Sequence, residues 1–283
     1  MKNLKNNLTL SSSEFLRLII SSKRNTSTDC NRKTRLLSLE TKIAPPYSDY
    51  DTRFTTNDLI SLINLNVSDV EKSDLLSLYS YKNTKLTNFR KKISTDTSNI
   101  YQATCQYCTI NSVNSLDHFV PKNSFPEFSV HPNNLIPSCT ECNSLKSERW
   151  IINNRHLFLN LYKDLLPNSQ YLFVDLKISS LNNINVNFKL KNINNIDPLI
   201  YEIITTHYQE LELLRRFKEN SSNTIIELTN SIHIALNNGS SLQQIKQNTF
   251  QTCQLNKNHK GFNHYQIILE ETLIQSNSFL SLF

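Results

Sequence analysis

Two pairs of cysteines constrain the fold of this 283-residue chain more than any other feature. Cys105 and Cys108 form one CxxC pair, Cys139 and Cys142 form a second, and 30 residues separate the two pairs. Two such turns present four thiolates to a single ion, which completes the tetrahedral shell that zinc prefers. A closed shell leaves no coordination position for water. We therefore expect a structural zinc that fixes the ends of the intervening segment.

The remaining composition favours a metal site over disulfides. The first 20 residues carry Glu14 and Arg17, where a secretory signal would need an apolar run. No stretch reaches the roughly 18 consecutive apolar residues of a membrane span. Without a secretory context, paired CxxC turns indicate metal binding in a reducing compartment. These observations predict a cytoplasmic protein with no membrane partner.

Positive charge is concentrated in the first third of the chain. Residues 1–100 contain 16 basic and 10 acidic residues, which accounts for the whole net charge of +6. Residues 101–150 contribute −1 and residues 151–283 contribute +1. Such asymmetry is typical of contact with nucleic acid, and a solvated helical face is the alternative explanation. The strongest candidates for a phosphate contact are three consecutive residues, Arg90, Lys91 and Lys92.

Apolar spacing predicts a mainly helical region before the cysteines. SSSEFLRLIISS, TNDLISLIN and SDVEKSDLLSLYSY each pair a capping residue with helical spacing. The proline pair in IAPPYSDY predicts a connection between helices. The pattern therefore indicates a basic, mainly helical region over 1–100.

The C-terminal region combines two strands with further helices. YLFVDLKIS and NVNFKLKNI alternate apolar and polar residues and predict a β-hairpin. DPLIYEIITTHYQELELLRRFKEN and the segments after it have helical spacing. We thus predict three parts: the helical region 1–100, a core over 101–155, and a mixed, then helical region over 156–283. The predicted fold class is α+β.

The segment between the cysteine pairs is longer and more polar than a zinc ribbon requires. It reads LDHFVPKNSFPEFSVHPNNLIPSCTECNSLK from residue 116 to residue 146. We predict one strand over 115–120, a second over 134–137, and a helix that starts at Thr140 and runs past Trp150. In the connecting loop, His131 is expected to be a solvated side chain. Strand, strand and helix, stapled by zinc, form the predicted core.

This core resembles the HNH nucleases, the ββα-metal endonucleases. In that family a strand carries an Asp-His pair, a second strand starts with Asn, and a helix supplies His or Asn. The corresponding residues here are Asp117-His118, Asn134 and Asn143, within a pattern NLxxxCxxCNxxK that ends at Lys146. Asn in place of His at the third position leaves the preferred metal open.

The resemblance implies a metal-dependent endonuclease. Neutral His118 can act as general base towards water near neutral pH. Asp117 and Asn143 offer the hard oxygen ligands suited to Mg²⁺ or Mn²⁺. In the family the middle asparagine, here Asn134, holds the connecting loop in place. Strand alternation points Asp117 and His118 to opposite faces, so both can reach one phosphate only through twist or a bulge.

Further residues are candidates for contact with the substrate, which we expect to be DNA, with RNA as the alternative. Lys146, one helical turn beyond Asn143, and Lys122, in the loop, are predicted to contact phosphates. A solvated side chain is an equal alternative for Lys122. The competing functions are a zinc module that binds nucleic acid without cutting it and a scaffold that binds a partner protein.

The order of elements after the core also resembles HNH proteins of bacterial defence loci. The similar features are RWIINNRHLFLNLYKDLLPNSQYLFVDL, then THYQELELLRRF, then the terminal HYQIILEETLIQ. Some of those proteins, in Septu-type systems, act with an ATPase. The resemblance implies a nuclease effector in antiviral defence that is controlled by an ATPase partner.

Overall fold

The structure is a computed structural model that describes residues 1–5, 8–95, 101–181 and 183–283. The described residues form two compact units. The first comprises Asn3–Tyr107 and Asn111–Leu165, and the second comprises Leu166–Phe283 with Met1–Lys2 and Cys108–Ile110. The predicted boundary at residue 100 lies outside the described residues, and the predicted division into three parts stays a prediction.

The N-terminal part of the first unit is helical, as predicted. The helices are α1 (Ser12–Ser21), α2 (Arg32–Thr56), α3 (Asp69–Leu78) and α4 (Thr84–Ile93). Capping boxes start two of them, with Ser11 and Glu14 at α1 and Ser68 and Glu71 at α3. These boxes satisfy backbone N–H groups that would otherwise have no partner in the first helical turn.

Helix α2 corrects the prediction of a connection at the proline pair. Pro45 and Pro46 lie inside α2, where each costs roughly 3 kcal/mol because it removes an N–H donor and clashes with the preceding turn. The buried stripe of this helix outweighs that cost, since each such side chain gains about 1.5–3 kcal/mol on burial. The stripe consists of Leu36, Leu39, Ile43, Tyr47 and Tyr50.

The prediction of a helix over TNDLISLIN is also wrong. Helix α2 ends at Thr56, its C-cap Asn57 adopts the left-handed conformation with φ 60°, and only a 3₁₀ turn follows at Leu59–Ser61. A left-handed residue cannot continue a right-handed helix. The segment therefore contains the last residue of α2, its left-handed cap and one 3₁₀ turn.

The strand, strand and helix order of the core is confirmed. Strand β1 (Ser115–His118) pairs antiparallel with β2 (Leu135–Ser138), with Asp117 opposite Ile136, and α5 (Thr140–Lys146) follows. The helix does not run past Trp150 as predicted. It stops because Ser147 has a φ of 51°. A small hairpin of β3 (Ile151–Ile152) and β4 (Arg155–His156) occupies the predicted end of the helix.

The second unit contains the predicted hairpin and a set of helices. Strands β5 (Leu172–Ser180) and β6 (Asn183–Leu190) pair antiparallel. The helices are α6 (Pro198–Glu210), α7 (Leu213–Glu219), α8 (Ser221–Asn237), α9 (Leu242–Lys260), α10 (Tyr265–Gln275) and α11 (Asn277–Leu280). The long helix predicted from Asp197 breaks in two at Glu212, whose φ is 52°. Phe217 and Tyr265 stack in the core of this unit with ring centroids 4.8 Å apart.

Among the described residues, no helix is both long and apolar enough to cross a membrane.

Candidate active site

The four predicted zinc ligands lie together. The sulfur atoms of Cys105, Cys108, Cys139 and Cys142 are within 4.8 Å of one another, and all four residues are buried. Cys139 also caps α5, because its sulfur accepts a hydrogen bond from the backbone N–H of Cys142 at 3.4 Å. A second backbone N–H, that of Ile110, donates to the Cys108 sulfur. N–H donors stabilise thiolates, so the donor set fits a soft, tetrahedral metal ion.

Three of the predicted catalytic residues line a single cavity of about 210 Å³. Asp117 and His118 reach it from the end of β1, and Asn143 reaches it from the second turn of α5. Strict strand alternation would separate the first two. His118 is the last residue of β1, next to the point where the chain leaves the strand for the connecting loop.

His118 is held in one orientation by hydrogen bonding and packing. Its Nε2 lies 2.8 Å from the carbonyl oxygen of Ser129, which can only accept, so Nε2 carries the proton and Nδ1 keeps its lone pair. The ring of Tyr79 packs edge-on against the imidazole at a centroid distance of 4.6 Å. Burial, with a smaller effect of Lys122, lowers the pKa of His118 to about 3. The imidazole is therefore neutral near pH 7.

Asp117 is buried, and the side chains of Lys146 and Tyr107 both contact its carboxylate. The Lys146 ammonium lies 3.2 Å from Oδ1, and the Tyr107 hydroxyl donates to Oδ2 at 3.1 Å. Burial raises the pKa of this carboxyl, and Lys146 opposes the rise.

The structure places Lys146 differently from the sequence prediction. Its side chain is fully buried, and its ammonium donates to the backbone oxygen of His118 at 2.7 Å in addition to its contact with Asp117. A buried ammonium that is already paired does not reach a phosphate in solvent. Lys146 lies four residues after the buried Cys142, on the face of α5 that packs on β1, where the Asp117 carboxylate is within its reach.

Asn134 ties the connecting loop to the strands. Its amide oxygen accepts from Val120 N at 2.7 Å and from the Tyr50 hydroxyl at 3.2 Å. Its amide nitrogen donates to the carbonyl oxygens of Val120 and Phe128 at 3.0 and 3.1 Å. All four bonds are buried, so this side chain satisfies loop backbone groups that water cannot reach.

Lys122 lines the same cavity. It is half-buried, with its ammonium 4.6 Å from the centroid of the Tyr79 ring, and burial lowers its pKa. The predicted basic cluster does not line the cavity. Arg90, Lys91 and Lys92 lie in the last turn of α4, where Arg90 stacks 4.1 Å above the Tyr81 ring and the two lysines are exposed.

His131 corrects the prediction of a solvated side chain. It is fully buried against the rings of Tyr47 and Tyr50, at centroid distances of 4.5 and 4.0 Å. Its Nε2 lies 3.4 Å from a carboxylate oxygen of Asp51. Burial lowers the pKa of His131 to about 3. Tyr47 and Tyr50 belong to α2, which is distant in the sequence. The residues close to position 131 therefore do not indicate that this histidine packs against them.

Sequence reasoning missed two residues that contact His118. Tyr79 follows α3, some 40 residues before the histidine, and Ser129 lies in the connecting loop. Neither belongs to the motif around the cysteines. A tyrosine at the end of an amphipathic helix and a serine in a loop carry no signal that relates them to a distant side chain.

Two comparisons with known proteins find sequences similar to part of this chain. Residues 105–149 match the family model of the HNH endonucleases. Protein ea31 of Escherichia phage lambda is 35% identical over 75 residues, which is 25% of this chain and 25% of that protein. The chain thus spans about a quarter of the length of that curated relative. The comparison with solved structures gives no significant match.

The segment 105–149 is therefore an HNH endonuclease domain, with a buried four-cysteine cluster suited to a metal ion. Helical regions flank it in the chain.

Proposed function

We propose that this protein is a metal-dependent endonuclease that hydrolyses phosphodiester bonds, with DNA as the favoured substrate. The observation that carries the proposal is the convergence of Asp117, His118 and Asn143 on one cavity beside a four-cysteine cluster. A phosphodiester is an anion, so its hydrolysis requires a base for water and a cation for the developing charge.

His118 is the proposed general base. Its Nε2–H is committed to Ser129, which leaves Nδ1 to accept a proton from water. Its lowered pKa means that the imidazole is neutral in the physiological pH range, so the Nδ1 lone pair is not already protonated. A positioned base of this kind typically contributes about 10² to 10⁴ in rate.

Asp117 and Asn143 would hold the catalytic divalent cation, Mg²⁺ or Mn²⁺. Both residues line the cavity, and carboxylate and amide oxygens are hard ligands that suit these ions. When bound, the cation supplies charge neutralisation at the phosphate. Lys146 and Tyr107 orient the Asp117 carboxylate, while Asn134 keeps the loop over the strands. The four cysteines would hold a structural zinc ion.

Contacts with the nucleic acid outside the reacting phosphate are assigned to Lys122 at the cavity and to Arg90, Lys91 and Lys92 on α4. Such lysines and arginines give affinity without base specificity. An effector role in antiviral defence and an ATPase partner remain predictions from the sequence resemblance alone.

The test is cleavage of plasmid DNA and of a structured RNA by the purified protein with Mg²⁺, with Mn²⁺ and with EDTA. We expect cleavage of DNA that EDTA abolishes and that His118→Ala reduces by about 10² or more. Asn143→Ala should shift the Mg²⁺ dependence to higher concentration, because it removes one ligand. A protein that binds DNA tightly but never cuts it would instead be a zinc-dependent binding module.

A further inference from the structure

The surroundings of His118 include a helix that lies outside the family-matched segment. We propose that α3 is a positioning element of the active site, and that Tyr79 at its end is a positioning residue for the base His118. The inference rests on the proposed function of His118.

Tyr79 contacts the active site in three ways. Its ring packs edge-on against the His118 imidazole, at 71° between the ring planes. Its hydroxyl donates to the carbonyl oxygen of Leu116, in the strand that carries Asp117 and His118, at 3.2 Å. Its ring also lies beneath the Lys122 ammonium. The Tyr79 side chain thus contacts the His118 imidazole, the strand that carries it and the Lys122 ammonium, and it forms part of the cavity wall.

A second route connects the same helix to the imidazole. The Ser129 hydroxyl donates to the carbonyl oxygen of Leu75 in α3 at 2.7 Å, in a buried position. The backbone oxygen of Ser129 accepts the proton on His118 Nε2. Helix α3 therefore constrains the imidazole by packing, through Tyr79, and by hydrogen bonding, through Ser129.

The chemistry explains why two constraints matter. A base must hold its lone pair towards the attacking water, and a misplacement of about 1 Å can cost on the order of 10² in rate. The hydrogen bond to Ser129 fixes the tautomer and one ring atom, yet the ring can still rotate about that bond. The edge of Tyr79 blocks this rotation. The HNH segment alone would consequently contain His118 but not Tyr79, which restricts the rotation of the His118 ring.

The experiment compares Tyr79→Leu, Tyr79→Phe and the parent in steady-state cleavage. Tyr79→Leu removes the ring and should lower kcat by about 10- to 100-fold. Tyr79→Phe keeps the ring and loses only the bond to Leu116, so its kcat should stay within about threefold of the parent. Tyr201→Leu, on α6 of the second unit, is the matched control and should cleave like the parent.

A mutant cycle separates positioning from general damage. In a His118→Ala background no imidazole remains to be positioned, so adding Tyr79→Leu should leave the residual rate unchanged. A further loss of similar size in that background would overturn the inference. So would a Tyr79→Leu variant that cleaves as fast as the parent. If His118→Ala itself cuts as fast as the parent, the proposed function fails instead.

A readout without turnover covers a protein that needs an activator. Nitrogen NMR of the histidine rings reports the tautomer and the mobility of His118. The parent should show a single Nε2–H tautomer with a rigid ring, and Tyr79→Leu should show a mobile ring with the zinc content unchanged. Identical ring mobility in the two proteins would contradict the proposal.

Discussion

The Lys146 ammonium lies 3.2 Å from Oδ1 of Asp117, and the two side chains are only 0% and 2% exposed. The same ammonium donates to the backbone oxygen of His118. A single buried cation therefore orients the proposed metal ligand and fixes the backbone of the proposed base. Lys146 therefore supports the site from within and does not contact the substrate. A buried ion pair is stable only when its remaining polar atoms also find partners, and the backbone oxygen of His118 is such a partner.

Replacing Lys146 by Met should destabilise the first unit strongly. The change leaves the Asp117 carboxylate buried without its cation, and breaking a buried pair in this way typically costs about 3–5 kcal/mol. Burial already raises the pKa of Asp117, and loss of Lys146 should raise it further. The free energy of unfolding, measured with urea, should therefore be reduced more at pH 8 than at pH 5, where the carboxyl can take up a proton.

The double variant Lys146→Met with Asp117→Asn provides the control. It removes both charges, so most of the stability lost at pH 8 should return. A double variant no more stable than Lys146→Met at pH 8 would show that the cost comes from packing and not from the unpaired charge.

The cysteine cluster should bind one zinc ion per chain in protein purified without chelators. Elemental analysis measures this directly. Cys105→Ser or Cys139→Ser should unfold the HNH segment rather than merely slow cleavage, because metal binding at such a site is coupled to folding. Cys30→Ser, at an exposed cysteine outside the cluster, is the matched control and should keep both zinc and fold.

Charge reversal on α4 should weaken nucleic-acid binding. Lys91 and Lys92 are exposed, so Lys91→Glu with Lys92→Glu changes charge without disturbing the buried Phe89 beside them. If both contact phosphates, the slope of log K against log salt should fall in magnitude by about 2 for double-stranded DNA. Titrations at several salt concentrations give the slope.

A matched reversal at the exposed Lys177 and Lys191 of the second unit controls for net charge. If both double variants bind alike, with the salt slope of the parent, the basic end of α4 is only a solvated face.

The buried His131 should make stability fall as the pH is lowered. Its pKa is about 3 in the folded protein and near 6.5 when unfolded, so between these values the unfolded chain binds the additional proton. The free energy of unfolding is therefore unaffected by protonation of His131 above pH 6.5. As the pH falls from 6.5 towards 3, it decreases by at most about 1.4 kcal/mol per pH unit. A hydrogen bond to the backbone of Tyr47 opposes the lowering of this pKa.

The measurement compares the parent with His131→Leu from pH 7.5 to pH 4.5. The variant loses ring packing and should be less stable at pH 7.5, but its stability should fall less steeply. Because both proteins retain His118 and the cysteines, the difference in slope isolates His131. Parallel curves would show that folding does not lower the pKa of His131.

The sequence by itself determined the core of this protein. Two CxxC turns and the residues between them specify a strand, strand and helix unit with Asp117, His118, Asn134 and Asn143 in order. These features are local, since a turn, a short strand or a capped helix depends on residues close together in the chain. The hairpin of β5 and β6 could be predicted for the same reason, because apolar and polar residues alternate in two segments that are adjacent in the sequence.

Only the tertiary structure decided which side chains face one another. Helix α2 continues through Pro45 and Pro46 because its buried stripe packs in the core, and that packing also encloses His131. Lys146 turns inward because a carboxylate lies within its reach, and Tyr79 meets His118 across 39 positions of sequence. Burial and ion pairing depend on groups that are distant in the chain. No pattern in a single segment records them, because their free energy arises only when the segments pack together.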